Sequence, residues 1–432
     1  MHSDTVAGLV LVDLALVIFL GRMLAPLASR LGQPPVMAEI FVGIALGPTL
    51  FGALAPGAAA TLFPPEATQM LAAIGSIGLV LFMFFVGLEL DLGATLREGR
   101  VVSLTAFGSI VVPAVCGAIL GGALYASHSV ASADPVSQAG FVLFICVAVS
   151  ISAFPVLARI LHEHGIASSR LGRTSMSTAA VNDLVGWLLL IVALAVATGG
   201  TPAIVLGQLA GVVGLVLLLV FVVQPLLRLG LEGGLPDPES HSRLALVLAI
   251  LAASAGFTQM IGLHAVIGAF LFGVAFPSDL RPRFRAFFRK FLLPMTMSLL
   301  LPIYFLGPGL NFDLGSLEPG GGVEIALIVA VAFGGKLLGT LAGARFAGMP
   351  LPESALLGVL LNTRGLMELI VLNIGFTEGI LDKALYSEFL VMALLATLLT
   401  SPVLRAALRG ETVIKVDPTF SRSSSGTRIV DG

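Results

Sequence analysis

The sequence predicts an all-α polytopic membrane protein of about thirteen transmembrane helices, arranged as two inverted-topology six-helix repeats. Three observations predict it. Apolar runs long enough to cross a bilayer recur from end to end, basic residues gather on alternate loops, and short motifs return seven spans later. Composition agrees. Of 432 residues 57% are hydrophobic and 11% charged, whereas a soluble domain carries about a quarter charged residues. Fifty glycines and 24 prolines suit helices that pack closely and break inside a bilayer, where neighbours satisfy the freed backbone groups. A net charge of −2 points to no particular partner, and nothing suggests nucleic acid. Cys116 and Cys146 lie inside apolar runs and are read as small packing residues.

Gly, Pro and charge clusters divide the chain into spans that start near residues 5, 34, 68, 101, 137, 172, 203, 243, 261, 290, 322, 353 and 385. The first begins MHSDTV, without a basic n-region, and its apolar run reaches about Leu31. It is therefore a membrane helix and not a signal peptide. Spans 2 (PPVMAEIFVGIALGP) and 9 (GLHAVIGAFLFGVAF) are short for a full crossing. Span 5 is interrupted by Pro155 in SISAFPVLARIL, and span 12 at Gly365 in NTRGLMELIV. The transmembrane domain takes in 1–412: repeat one about 5–198, a linker helix about 203–228 and repeat two about 241–410. A short, Ser-rich, basic tail, 413–432, is expected to be disordered.

The basic residues test this division. On one set of loops they read Arg22 and Arg30, then Arg97 and Arg100, then Arg159, Arg170 and Arg173. The series continues with Arg228 and Arg243, the cluster Arg281 to Lys290, then Arg345, and five more from Arg405 to Arg428. The opposite loops hold only Lys383. This asymmetry predicts a multi-pass protein with its N-terminus outside and its C-terminus in the cytoplasm, in a bacterial inner (plasma) membrane. Lys336 and Arg364 belong to no loop. Like Asp183, they fall near the middle of their spans, and such residues mark an ion path by default.

The repeat rests on three pairs. FMFFVGLELDL (82–92) returns as YFLGPGLNFDL (304–314), sharing a G-L-x-x-D-L core; short span 2 resembles short span 9; interrupted span 5 matches interrupted span 12. Each pair is seven spans apart. Seven is odd, so the copies run in opposite directions, as in secondary transporters whose site lies at the midplane between repeats.

With these motifs in order, the sequence resembles the cation:proton antiporter superfamily. The branch is the monovalent cation:proton antiporter-2 one, which holds Kef-type potassium efflux proteins and plant cation/proton exchangers. The resemblance runs over about 5–410 and is carried by 34–48, LFMFFVGLELDL (81–92), SAFPVLARIL (152–161), NDLVGWLLL (182–190), YFLGPGLNFDL, GGKLLGT (334–340) and NTRGLMELIVLNIG (362–375). It implies a sodium/hydrogen exchanger transmembrane domain in which spans 5 and 12 cross inside a core domain that moves against a dimerisation domain, hence a homodimer. Asp183 matches the family's cation- and proton-binding carboxylate. Asn182 stands where some relatives carry a second Asp, a difference that implies electroneutral exchange. Lys336 matches a core basic residue that pairs with that second acid in some relatives; with Asn182 here it needs another partner. Kef-type proteins add a nucleotide-binding domain, and none is expected in this chain.

The residues themselves supply a mechanism. An ionised Asp at the centre of an apolar helix costs roughly 2.5–3.5 kcal/mol on insertion scales. Either a proton or a partly dehydrated monovalent cation, Na+ or K+, removes that cost, and Asp183 cannot hold both. Ser152 beside the span 5 break, the backbone carbonyls near Phe154, and Thr363 are candidate oxygen ligands, as alkali cations prefer. No cofactor is needed. Broken helices leave partial charges of about half an elementary charge at their ends, and Lys336 and Arg364 are placed to offset the negative ones. Glu39 and Glu368 either line a funnel or pair with Arg364. His162 and His164 lie on a loop where they can sense pH, and HEHG is not a zinc motif. The intramembrane charges are taken as one Asp, one Lys and one Arg, too few for an enzyme. A cation-coupled symporter of an organic anion on a related fold, and a cation efflux channel, are the alternatives.

Overall fold

The computed structural model describes residues 3–30, 35–89, 99–128, 136–163, 166, 169–197, 202–231, 241–316 and 321–409, and over them the chain is helical, without a strand. In chain order the helices are α1 (Ser3–Arg30), α2 (Pro35–Leu46), the short α3 (Phe51–Leu54) and α4 (Pro56–Leu62), α5 (Pro65–Glu89) and α6 (Gly99–His128). The first broken helix follows as α7 (Gln138–Ser150) and α8 (Phe154–Glu163), then α9 (Arg170–Ala197). Next come α10 (Pro202–Leu218 and Gln224–Leu231, joined by a π turn), α11 (His241–Met260) and α12 (Ala265–Ala275). Then α13 (Arg281–Met295 and Leu301–Asn311, again joined by a π turn), α14 (Gly321–Phe346), the second broken helix α15 (Leu351–Leu361) and α16 (Leu366–Thr377), and α17 (Lys383–Arg409).

Ten stretches among the described residues are long and apolar enough to cross a membrane. Gln138–Ser150, Ala265–Ala275, Leu351–Leu361 and Met367–Thr377 are apolar but shorter, so ten is the number of full-length spans against the thirteen expected. The π turns at Leu219–Val223 and Thr296–Leu300 have a local cause. Pro225 and Pro302 each lack an N–H and crowd the carbonyl four residues back, at Phe221 and Ser298; both lie within the widened turns.

The packing interchanges under the seven-span shift. α2 meets the second half of α13 at Gly43 and Gly309, where a Cβ on Gly309 would lie 2.3 Å from the Gly43 carbonyl carbon. The exchanged pair, α12 on α5, meets the same way: a Cβ on Gly273 would lie 2.2 Å from the Phe84 carbonyl oxygen, and one on Gly87 2.4 Å from that of Phe270. The pair that maps onto itself, α6 and α14, packs with Gly108 and Gly339 each against the other's carbonyl. Inverted repeats related by a two-fold require this exchange of partners. The half of the G-L-x-x-D-L comparison that rests on Asp91 and Leu92, and the tail 413–432, lie outside the described residues.

One large apolar core fills the bundle, and a second, smaller one joins α1, α2, α5 and α13 through Val17, Val42, Leu71 and Ile303. At the end where α13 begins, Phe84 stacks on Phe272 at 5.0 Å and meets Phe288 edge-on at 5.9 Å. The outward faces of α1 and α10 carry exposed Leu11, Phe19, Leu206 and Phe221, as hydrocarbon contact demands.

Glycine at the α6–α14 contact sets the helix spacing. Gly339→Ala, whose new methyl meets the Gly108 carbonyl, is expected to lose about 1–3 kcal/mol of stability. Gly334→Ala on the same helix meets nothing within 4 Å and is expected to lose nothing. Unfolding temperatures of the two variants in one detergent check the contrast.

Candidate functional site

The site is made by two helices that stop in the middle of the bundle. α7 ends at Ser150, Ile151 is extended (φ −65°, ψ 145°), and α8 starts at Phe154. The break thus precedes the expected Pro155, which sits in the first turn of α8, where a missing N–H is harmless. α15 ends at Leu361 and α16 starts after Gly365, whose φ of 148° and ψ of −131° are open to glycine and strained for other residues. The two breaks touch. The Ala153 N–H donates to the Thr363 carbonyl at 3.0 Å, and the Ser152 hydroxyl donates to the Leu361 carbonyl at 3.1 Å. Spans 5 and 12 cross at this point.

A helix end buried without water needs partners for its last carbonyls. For α7 they are cations. Arg364 donates to the Ala148 and Val149 carbonyls at 2.9 and 2.6 Å, and Lys336 donates to that of Ser150. Lys336 is thus held by the backbone where the second acid is missing. Both cations offset a negative helix end, as expected, and it is the same one, that of α7. The end of α15 is met by neutral groups: Ser152 on Leu361, the Thr363 hydroxyl on the Leu360 carbonyl at 2.6 Å, and the Asn362 N–H on Val359. The asymmetry follows from the residues available, since α14 brings one ammonium and the second break one guanidinium. Arg364 also pairs with Glu368, one turn ahead, at 2.5 Å, both side chains being buried. That settles Glu368; Glu39 instead lies against Gly21 and within reach of Arg22 on α1.

Asp183, midway along α9, is 3% exposed, and neither carboxylate oxygen has a hydrogen-bond partner among the described residues. The Phe154 backbone amide, at the positive N-terminal end of α8, and the Lys336 ammonium are the groups that bear on it electrostatically. Asn182 donates to the Ser109 hydroxyl at 2.8 Å and, at 3.4 Å, to Ser152. It is an interhelical tie from α9 to α6 and the break. Ser152 and Thr363 have spent their hydroxyl hydrogens on carbonyls, which leaves lone pairs to accept with, one of them on Ser152 already used by Asn182.

Sequence reading missed several groups. Ser109 carries no signal, being one hydroxyl in an apolar run. Asp13, on α1, is fully buried with both oxygens unpartnered among the described residues, and Glu388, on α17, is 1% exposed. Each is an acid inside a span, the same signal that picked out Asp183, so the count of one intramembrane Asp was too low. The His162 side chain and His164 lie outside what the structure describes. A cavity of about 540 Å³ opens between α5, α13 and α16, at the end of the bundle where α5 begins, lined by Thr68, Gln69, Tyr304, Asn311 and Asn373.

Removing one member of a buried ion pair strands the other, at a cost of about 3–5 kcal/mol. Glu368→Ala is therefore expected to lower the unfolding temperature in detergent markedly, with Glu353→Ala, at the half-exposed start of α15, as the silent control.

Comparison with known proteins adds the lineage. Over 416 residues the chain is 37% identical to Cation/H(+) antiporter 17 of Arabidopsis thaliana, covering 95% of this chain and 50% of that protein, so it spans about half the length of its plant relatives. It is 34% identical to the Na(+)/H(+) antiporter NhaS4 of Synechocystis sp., covering 93% and 98%, and 31% identical to K(+)/H(+) antiporter 1 of Saccharomyces cerevisiae, covering 93% and 46%. The fold matches that of the sodium proton antiporter MjNhaP1 from Methanocaldococcus jannaschii at pH 8, with a TM-score of 0.66, 14% identity and coverage of 94% and 98%. The family model described as sodium/hydrogen exchanger, transmembrane, matches residues 15–409, and the chain belongs to that family.

Proposed function

We propose that this chain is a secondary active antiporter that exchanges a monovalent cation, Na+ or K+, for protons by letting the two compete for Asp183. The observation that carries the proposal is the buried carboxylate, without a side-chain partner among the described residues, at the crossing of two broken helices. The relatives named as cation, sodium and potassium antiporters support the reaction class.

Asp183 is the group neutralised by either cargo. Ser152, with the backbone of the break, supplies oxygen ligands to a dehydrated cation, and Thr363 supplies a further one. The N-terminal end of α8 stabilises the carboxylate in the interval when it holds neither. Lys336 and Arg364 are not cargo ligands; they keep the α7 end intact while the site changes access. Because Asn182 takes the place of a second acid, one cation is exchanged for one proton and the cycle moves no net charge. The chain sits in a plasma membrane as a homodimer with its N-terminus outside, so the cavity beside α16 is the outer approach. Alternation follows if the core crosses only when Asp183 is neutral, since moving an unpaired charge through the apolar bundle carries the insertion cost.

In proteoliposomes, Asp183→Asn is expected to abolish cation-dependent proton movement while the protein keeps its unfolding temperature; retained exchange would overturn the assignment. Competition also fixes a pH sign. Below the pH at which Asp183 is half protonated, each further unit of acidity leaves about tenfold fewer sites open to the cation. The apparent KM for the cation should rise about tenfold and the saturating rate should stay constant. An imposed membrane voltage should leave the rate unaltered; a voltage-dependent rate would refute one-for-one exchange.

A further inference from the structure

Away from Asp183, at the end of the bundle where α6 stops and α14 and α17 start, a histidine meets three carboxylates. His128 closes α6, Glu324 lies in the first turn of α14, and Asp382 and Glu388 flank the start of α17. His128 Nδ1 is 2.8 Å from Asp382 Oδ2, and Nε2 is 3.0 Å from Glu324 Oε2. Glu388 is 1% exposed, its Oε2 has no hydrogen-bond partner among the described residues, and one of its oxygens lies with ligand atoms of His128 and Glu324 within 4.8 Å of one another. The nearby Lys383 is spent on Asp313 at 2.9 Å. Three acids thus gather at one imidazole, and one oxygen of the innermost has no donor among the described residues.

We propose that His128, Glu324 and Glu388 form a binding site for a transition-type divalent cation such as Zn2+, separate from the transport site. The imidazole is already set for it. Asp382 holds the Nδ1–H; a metal arriving at Nε2 displaces the proton that this nitrogen shares with Glu324 to solvent, and the freed lone pair then faces Glu324 and Glu388, the carboxylate–histidine–metal arrangement that fixes tautomer and ring orientation. One nitrogen and two carboxylate oxygens suit zinc, whereas magnesium and calcium prefer oxygen alone. A tetrahedral zinc site separates its ligand atoms by about 3.4 Å. Glu324, whose side chain is 32% exposed, is free to turn and close the remaining gap. A dication offsets the excess negative charge and leaves the fourth position to water. The ion would tie α6 to α14 and α17. The first two carry Ser109 and Lys336 at mid-length, so the clamp acts on helices that build the transport site without touching Asp183.

The test reads binding and needs no transport, so it is independent of the exchange reaction. Purified chain, stripped with a chelator, is titrated with zinc chloride and separately with magnesium chloride, counting ions per chain and following the unfolding temperature. Expected are one Zn2+ per chain, a higher unfolding temperature with zinc, and affinity at least tenfold weaker in both His128→Gln and Glu388→Gln. Asp382→Asn should weaken binding about 10–100-fold, as loss of an orienting partner does. Should a buried variant fail to fold, Glu324→Gln, at the partly exposed ligand, supplies the same reading. No bound zinc, zinc affinity unaltered in the variants that fold, or magnesium bound as tightly as zinc would overturn the site.

Discussion

Two helices that end in the middle of an apolar bundle set the terms for everything around them. Each break frees carbonyls and amides from the helical ladder, and a buried group left without a partner costs more than most side-chain contacts return. The two breaks are therefore laid on each other, with Ala153 bonded to Thr363 and Ser152 to Leu361. What they cannot satisfy mutually, charged side chains must. Arg364 and Lys336 take the last three carbonyls of α7, and Glu368 is present because a buried guanidinium needs a counter-charge.

This arrangement separates two kinds of buried charge. Arg364, Lys336 and Glu368 are committed to the backbone or to each other, and they hold the crossing together. Asp183 is left out of that network. It lies beside the positive end of α8, where the Phe154 N–H bears on it, and no side chain among the described residues donates to it. A group that is electrostatically supported yet unpaired can change its occupant without dismantling the fold, which a carboxylate locked to Lys336 could not do. Asn182 reinforces the division, since its amide ties α9 to Ser109 and adds no charge.

Much of the bundle was legible in the sequence because the bilayer leaves few options. Span starts, the broken spans and the repeat all follow from apolar length and from where Gly, Pro and charge interrupt it. Arg364 and Lys336 were legible as helix-end cations for the same reason. Their shared target was not, because which half-helix they reach depends on how α14 and α15 lie across α7. Asp13 and Glu388 were visible as acids in apolar runs and were overlooked; Ser109 was not visible at all, since a lone hydroxyl in a helix has no pattern.

The sequence by itself determined that the chain lives in a membrane, that it repeats with reversed direction, and that Asp183 sits where a charge is expensive. Those are properties of composition and order, which the solvent judges residue by residue. Tertiary structure decided the rest: that the two breaks coincide, that both cations close one helix end, and that His128 of α6 gathers acids from α14 and the start of α17. Such groups are 196 and 254 positions apart along the chain in the case of His128 and its two bonded carboxylates. No local pattern encodes distances of that kind, because they are fixed by glycine contacts such as Gly108 on Gly339 that set how closely whole helices approach.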